Sequence, residues 1–212
     1  MDSSANPTVI VVDDDPSIRQ SLEDLLLSVN LAVKTMSALP NFVVSGRPEH
    51  PTCLVLDVRL PGQSGIDFQR ELFSANIYIP IIFLTGHGDI PMCAKAMKEG
   101  AFEFFTKPFR EQDLLDAVQL ALAKDKAWLE GEVKLTNLRE RYKLLSVRER
   151  EVMAYVVTGL LNKQIAAKMG LSEITVKIHR GSLLRKMNAR SLPELARMAD
   201  SLAADFGVDK VR

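Results

Sequence analysis

The 212-residue chain is 47% hydrophobic and 25% charged, with 27 basic residues balancing 27 acidic ones. That length suits one large domain or two small ones, and the apolar content can bury a core, which excludes a disordered or fibrous chain. The opening MDSSANPTVI has neither the basic start nor the apolar run of a signal peptide, and no stretch reaches the roughly 20 apolar residues of a membrane span, so a cytoplasmic protein is expected.

In chain order, TVIVVD (8–13) is predicted as a buried strand. SIRQSLEDLLLSV (17–29) follows with Ile18, Leu22, Leu25, Leu26 and Val29 at helical spacing. Further strands are predicted at LAVKTM (31–36), CLVLDV (53–58), IIFLT (81–85) and AFEFFT (101–106), with helices at about 39–46, 65–74 and 91–99 between them. The alternation predicts an α/β domain: a five-stranded parallel sheet, covered on both faces, with right-handed crossovers. From Glu111 to about Arg141 the pattern is helical throughout, through Leu114, Leu115, Val118, Leu122, Leu129, Leu135 and Leu138. Gly131 is its weak point, so one rod and two helices joined near Gly131 are both open. Residues 143–212 carry only helical patterns. Ser146 with Glu149, and Ser191 with Glu194, have capping-box spacing. Cys53 and Cys93 are 40 positions apart and are expected to be reduced and structural.

Charge is unevenly spread. Residues 1–123 carry 9 Lys+Arg and 16 Asp+Glu, a net of −7. Residues 124–142 carry 5 and 4, and residues 143–212 carry 13 and 7, a net of +6. An acidic module joined to a basic one predicts different partners, with nucleic acid for the basic end.

Asp13, Asp14 and Asp15 follow the first strand, Asp57 ends the third, Thr85 ends the fourth and Lys107 follows the fifth. In a parallel sheet all of these fall at the carboxyl edge, where ligands bind. Several carboxylates at one point call for a cation, and hard oxygen donors open to water suit Mg²⁺. A carboxylate beside that ion can take a phosphoryl group as an acyl phosphate, with the lysine and threonine holding its oxygens.

VVDDD, LVLDVRLPGQSGID, IIFLTGHGD and FFTKPF, in that order over about residues 7–123, resemble the receiver domain of two-component response regulators. The resemblance implies a flavodoxin-like fold with Asp57 as the phosphoacceptor. It implies Mg²⁺ held by Asp13, Asp14, Asp57 and the backbone carbonyl of Arg59, with Mn²⁺ or Ca²⁺ as substitutes. Lys107 would contact the phosphoryl group and Thr85 would be the switch hydroxyl. Phe104 occupies the aromatic switch position, where many members have Tyr; without a hydroxyl it would act by packing alone. Asp15 stands outside the usual metal set. His87 in TGHGD has no family role and is expected to be a solvated loop residue.

LLNKQIAAKMGLSEITVKIHRGSLLRKM (160–187) is predicted as two helices joined by a tight turn at Gly170, with Ser172 capping the second. Val176, Leu183 and Met187 form the inward stripe, while Ile174, Lys177, Ile178, Gly181 and Arg185 face out. By pattern alone this is either a helix-turn-helix or an ordinary hairpin with a solvated face. LSVRERE, GLLNKQIA, LSEITVKIHR and LLRKM, over about 143–206, resemble the LuxR/NarL-type DNA-binding domain. That resemblance implies a second helix in the major groove. Thr175, Lys177, Ile178 and Arg180 would contact bases and nearby phosphates. Lys163, Ser172 and His179 would contact the backbone, and Arg185 and Lys186 would add electrostatic attraction.

Taken together, the chain resembles NarL/FixJ-type response regulators. TGHGDIPM, PGQSGI and ARSLPELARMA favour the FixJ branch, and the long helix resembles that of styrene-catabolism regulators. The implied organisation is a receiver at 1–123, a helical linker at 124–142 continuing the last receiver helix, and an all-α DNA-binding domain at 143–212. The implied function is a phosphorylation-controlled transcriptional regulator, with activation as the expected sign. Its implied partners are a cognate sensor histidine kinase, double-stranded promoter DNA, a second copy on phosphorylation, and RNA polymerase, with no membrane. Beyond self-phosphorylation and slow dephosphorylation, no enzymatic role is expected. The alternatives are a Mg²⁺-dependent phosphohydrolase using an aspartyl phosphate, and a DNA-binding protein that is never phosphorylated.

Overall fold

The computed structural model describes residues 6–86 and 90–206. Strands β1 (Thr8–Val12), β2 (Ala32–Met36), β3 (Thr52–Asp57), β4 (Ile81–Thr85) and β5 (Glu103–Thr106) alternate with α1 (Pro16–Ser28), α2 (Phe42–Ser45), α3 (Gly65–Ser74) and α4 (Ile90–Lys98). The sheet is parallel throughout, in the order β2-β1-β3-β4-β5. Strand order therefore reverses between β1 and β3, and a crevice forms at their carboxyl ends.

Side-chain alternation divides the core in two. Val9, Val11, Cys53, Val55, Ile82 and Leu84 pack with Leu22 and Leu26 of α1 and with α5 (Glu111–Lys143). Ile10, Val12, Leu54, Leu56 and Phe83 pack on the other face with α3 and with Ala96 of α4. All five residues of β4 are buried, in keeping with its run of four apolar residues before Thr85. Burial pushes the Cys53 thiol up, consistent with an inert structural cysteine.

One expected element is shorter than its pattern suggested. The helix anticipated over 39–46 forms only at Phe42–Ser45. Asn41 caps its start, accepting from the Val44 amide, and Gly46 ends it at φ +75°.

The helix α5 is continuous through Gly131. Its apolar stripe, Leu114, Leu115, Val118, Ala121 and Leu122, next brings Asp125 inward, where it is 0% exposed. Arg47 meets that carboxylate with two hydrogen bonds of 3.2 and 2.7 Å, and the Thr52 amide donates to it at 2.8 Å. The Arg47 guanidinium also lies 4.6 Å from the Trp128 ring, which stacks on Tyr78 at 5.3 Å. This anchor lies beyond the receiver boundary expected at 123. The chain divides into compact units at 1–130 and 131–212.

The second unit closes around Leu138 and Leu145 with α6 (Val147–Val156), α7 (Asn162–Met169), α8 (Glu173–Met187) and α9 (Leu192–Phe206). Among the described residues, no helix is long and apolar enough to cross a membrane.

Candidate functional site

At the carboxyl edge of the sheet, each expected residue has an identifiable support. Asp13 follows β1 and is 2% exposed. Its Oδ1 accepts from the Asp15 amide at 2.9 Å. Asp14 is exposed, and Arg19 steadies the turn by donating to the carbonyls of Asp13 and Asp14 at 2.7 and 3.0 Å. Asp15, outside the implied metal set, caps α1, accepting from the Ser17 amide at 2.8 Å and hydroxyl at 2.6 Å. Asp57 closes β3, and its Oδ1 accepts from the Arg59 amide at 2.9 Å. Lys107 is set by its own amide, which donates to the Thr85 carbonyl at 2.8 Å.

The Lys107 ammonium joins the strands. Its Nζ donates to Asp13 Oδ2 at 2.7 Å and to Asp57 Oδ2 at 3.0 Å. Burial pulls this ammonium toward neutrality, but the hydrogen bonds and charges of Asp13 and Asp57 outweigh it and hold its pKa above the usual lysine value. Thr85 ends β4 and is 1% exposed. Phe104 is half-buried, with its ring 6.3 Å from that of Phe83.

Close behind the site, Gly65 opens α3 against the end of β3. A Cβ there would stand 2.7 Å from the Asp57 carbonyl oxygen, 3.1 Å from a ring carbon of Phe83 and 3.2 Å from Leu56. The position therefore requires glycine for close approach.

Asp13, Asp14 and Asp57 do not close into a cage: among the described residues, no three carboxylate, imidazole or thiol side chains cluster as metal ligands do. Asp13 and Asp57 are nevertheless held together through Lys107. An open pair of hard oxygen donors fits Mg²⁺, which binds through one or two carboxylates and keeps several waters. His87 lies outside the described residues.

In the second unit, Gly170 ends α7 in the left-handed conformation at φ +66°. Ser172 caps α8, accepting from the Thr175 amide at 3.1 Å, with the two hydroxyls 2.8 Å apart. Lys163, Lys177, Ile178 and Arg185 are exposed, while Thr175, His179 and Arg180 are half-buried. Arg180 donates to Asn162 Oδ1 at 2.6 Å, which ties α8 to the start of α7. Lys186 is also engaged, donating to Glu149 Oε2 at 2.7 Å and to the Leu144 carbonyl at 3.2 Å.

Glu149 is the structural hub that sequence patterning only half revealed. The capping box with Ser146 forms as its spacing predicts. The same buried carboxylate also accepts from Ser182 at 2.6 Å and from Lys186, 33 and 37 residues away, which no local pattern signals. Burial alone would raise its pKa; the bonds from Lys186, Ser182 and Ser146 reverse that and hold it at about 2.

The Response regulator receiver domain family matches residues 9–119, and the Bacterial regulatory proteins, luxR family, matches residues 143–199. Nodulation protein W of Bradyrhizobium diazoefficiens is 52% identical over 201 residues, spanning 95% of this chain and 88% of that one. The transcriptional regulatory protein FixJ of Azorhizobium caulinodans is 41% identical, spanning 90% of each chain. The low-resolution structure of the response regulator StyR superposes with a TM-score of 0.81 at 44% identity, covering 92% of this chain and 99% of that one. A receiver followed by a luxR-type helix-turn-helix defines a response regulator that controls transcription by phosphorylation. The chain belongs to the NarL/FixJ family of these regulators, in its FixJ-like group. Such proteins are transcriptional regulators and not enzymes, their receivers are Mg²⁺-dependent, and the two domains imply a sensor kinase and promoter DNA as partners.

Proposed function

We propose that Asp57 takes the phosphoryl group from a histidine of the cognate sensor kinase. Its carboxylate oxygen attacks phosphorus, the P–N bond to the kinase histidine breaks, and an acyl phosphate forms on Asp57. The observation that carries this assignment is the Lys107 ammonium, which contacts Asp57 and Asp13 together and is positioned to neutralise incoming phosphoryl oxygens. Mg²⁺, with Mn²⁺ or Ca²⁺ as substitutes, would be held by Asp13, Asp14, Asp57 and the Arg59 carbonyl. When bound it supplies charge neutralisation to the transferring group. Thr85 would donate its hydroxyl to the new phosphate. Phe104, having no hydroxyl, would respond by repacking against Phe83.

The added charge, about −1.5 to −2 at pH 7, shifts the receiver toward a form that dimerises. The dimer presents two copies of α8 to half-sites about one helical turn apart in promoter DNA. Lys163, Ser172, Thr175, Lys177, Ile178, His179, Arg180 and Arg185 form the DNA-facing set, with Arg180 and Thr175 also bracing α8 through Asn162 and Ser172. The protein acts in the bacterial cytoplasm, where bound dimers recruit RNA polymerase.

The test compares wild type with Asp57→Ala, each with Mg²⁺ and either acetyl phosphate or beryllofluoride. Wild type should dimerise and bind promoter DNA more tightly, while the variant stays monomeric and unresponsive. An equal response in both would reject Asp57 as the acceptor.

A further inference from the structure

Asp14 is the least supported acid of the edge. Asp13 has both carboxylate oxygens engaged, one by the Asp15 amide and one by the Lys107 ammonium. Asp57 accepts from the Arg59 amide and from Lys107. Asp14 is exposed, and among the described residues no hydrogen bond or ion pair reaches its carboxylate. A side chain so placed samples several rotamers, and ordering it around an ion weakens binding.

What holds this acid is the backbone beneath it. Arg19, in the first turn of α1, donates from Nη1 to the Asp13 carbonyl at 2.7 Å and to the Asp14 carbonyl at 3.0 Å. The Asp13 carbonyl belongs to the peptide unit before the Asp14 Cα, and the Asp14 carbonyl to the unit after it. Peptide units are planar, so holding both planes holds φ and ψ of Asp14. Those two angles decide the direction in which its Cβ, and then its carboxylate, leaves the chain. A single guanidinium nitrogen therefore aims Asp14 without touching its side chain.

Charge alone would not choose this arrangement. The Arg19 cation stands beside the edge that is to hold a divalent cation, and like charges repel. Among the described residues it forms no ion pair with the acids around it. As a charge, Arg19 would weaken cation binding; as a brace for the turn, it would strengthen it. The two effects have opposite signs, so one measurement separates them.

We propose that Arg19 is a positioning residue that preorganises Asp14 for the divalent cation. This rests on the Mg²⁺ site proposed above. Removing a group that orients a metal ligand from behind lowers affinity about 10- to 100-fold.

The experiment uses the full-length protein without a phosphodonor and Mn²⁺ as the probe, with binding read from loss of the free ion's paramagnetic resonance signal. Arg19→Met keeps an apolar stem and removes the donors, and should bind Mn²⁺ about tenfold more weakly or worse. Arg19→Lys, whose one ammonium can serve both carbonyls, should recover most of that loss. Asp14→Asn reports the acid itself. Combined with Arg19→Met it should be little weaker than Asp14→Asn alone, because Arg19 acts through that carboxylate. Melting curves in EDTA read the cost to the fold separately. Mn²⁺ affinity in Arg19→Met equal to or above wild type overturns the proposal and leaves the metal site standing. Losses that add in the double variant overturn the route through Asp14. An Arg19→Lys protein that melts like wild type yet binds as weakly as Arg19→Met overturns the carbonyl tether. A wild type that takes up no Mn²⁺ overturns the metal site, and this inference with it.

Discussion

Single side chains decide the outcome at two places. At Gly65, alanine would put a methyl carbon 2.7 Å from the carbonyl oxygen of Asp57, the proposed phosphoacceptor. The helix must back away from the strand, so Gly65→Ala should lower stability by about 1–3 kcal/mol, as overpacking does. It should also slow labelling of Asp57 by acetyl phosphate, measured against a melting curve of the same sample. At Glu149, the folded pKa of about 2 lies below the ordinary value of 4.5. A depressed carboxylate stabilises the fold above its unfolded pKa, and that contribution fades as pH falls through the folded one. The DNA-binding unit should therefore lose on the order of 3 kcal/mol between about pH 4.5 and pH 2. Glu149→Gln should flatten that dependence in acid titrations followed by circular dichroism. The glutamate at the third position after Ser146 was legible as a cap; its bonds to Ser182 and Lys186 depend on how α8 lies across α6 and were not.

At the scale of elements, α5 shows how far a pattern can be read. Leu114, Val118, Ala121 and Leu122 announce the buried face by spacing, and the same spacing puts Asp125 on it. A charge at an inward position demands a partner. The sequence could state that demand but could not name Arg47, 78 residues earlier in the loop before β3. Removing one member of a buried pair leaves the other uncompensated, at a cost of about 3–5 kcal/mol. Arg47→Ala should lower the unfolding temperature of the receiver unit accordingly, and calorimetry of the full chain would register it. An unchanged melt would mean that the Thr52 amide alone satisfies Asp125. The strands β1, β3 and β4 were legible for a simpler reason: each is a short, mostly apolar run. The short α2 was overread because Val43 and Val44 continue the apolar pattern while remaining exposed.

At the scale of the whole molecule, the acidic and basic halves of the sequence correspond to two units with separate cores. Asp13, Asp57, Thr85 and Lys107 could be assigned to one edge from strand order alone, because a parallel sheet puts every strand's carboxyl end on the same side. What sequence could not supply was the Lys107 ammonium contact shared by Asp13 and Asp57. Nor could it supply the place where the first unit stops. The family match ends at residue 119, yet the Arg47 clamp reaches Asp125 and Trp128. The consequence is practical for anyone dissecting the protein by proteolysis or truncation. A fragment ending at 123 would strip Arg47 of its carboxylate and aromatic partners and leave the Thr52 amide unmet, whereas one ending at 130 keeps all three. The shorter fragment should be digested faster by trypsin and melt lower, and the five extra residues through Trp128 should restore most of the difference.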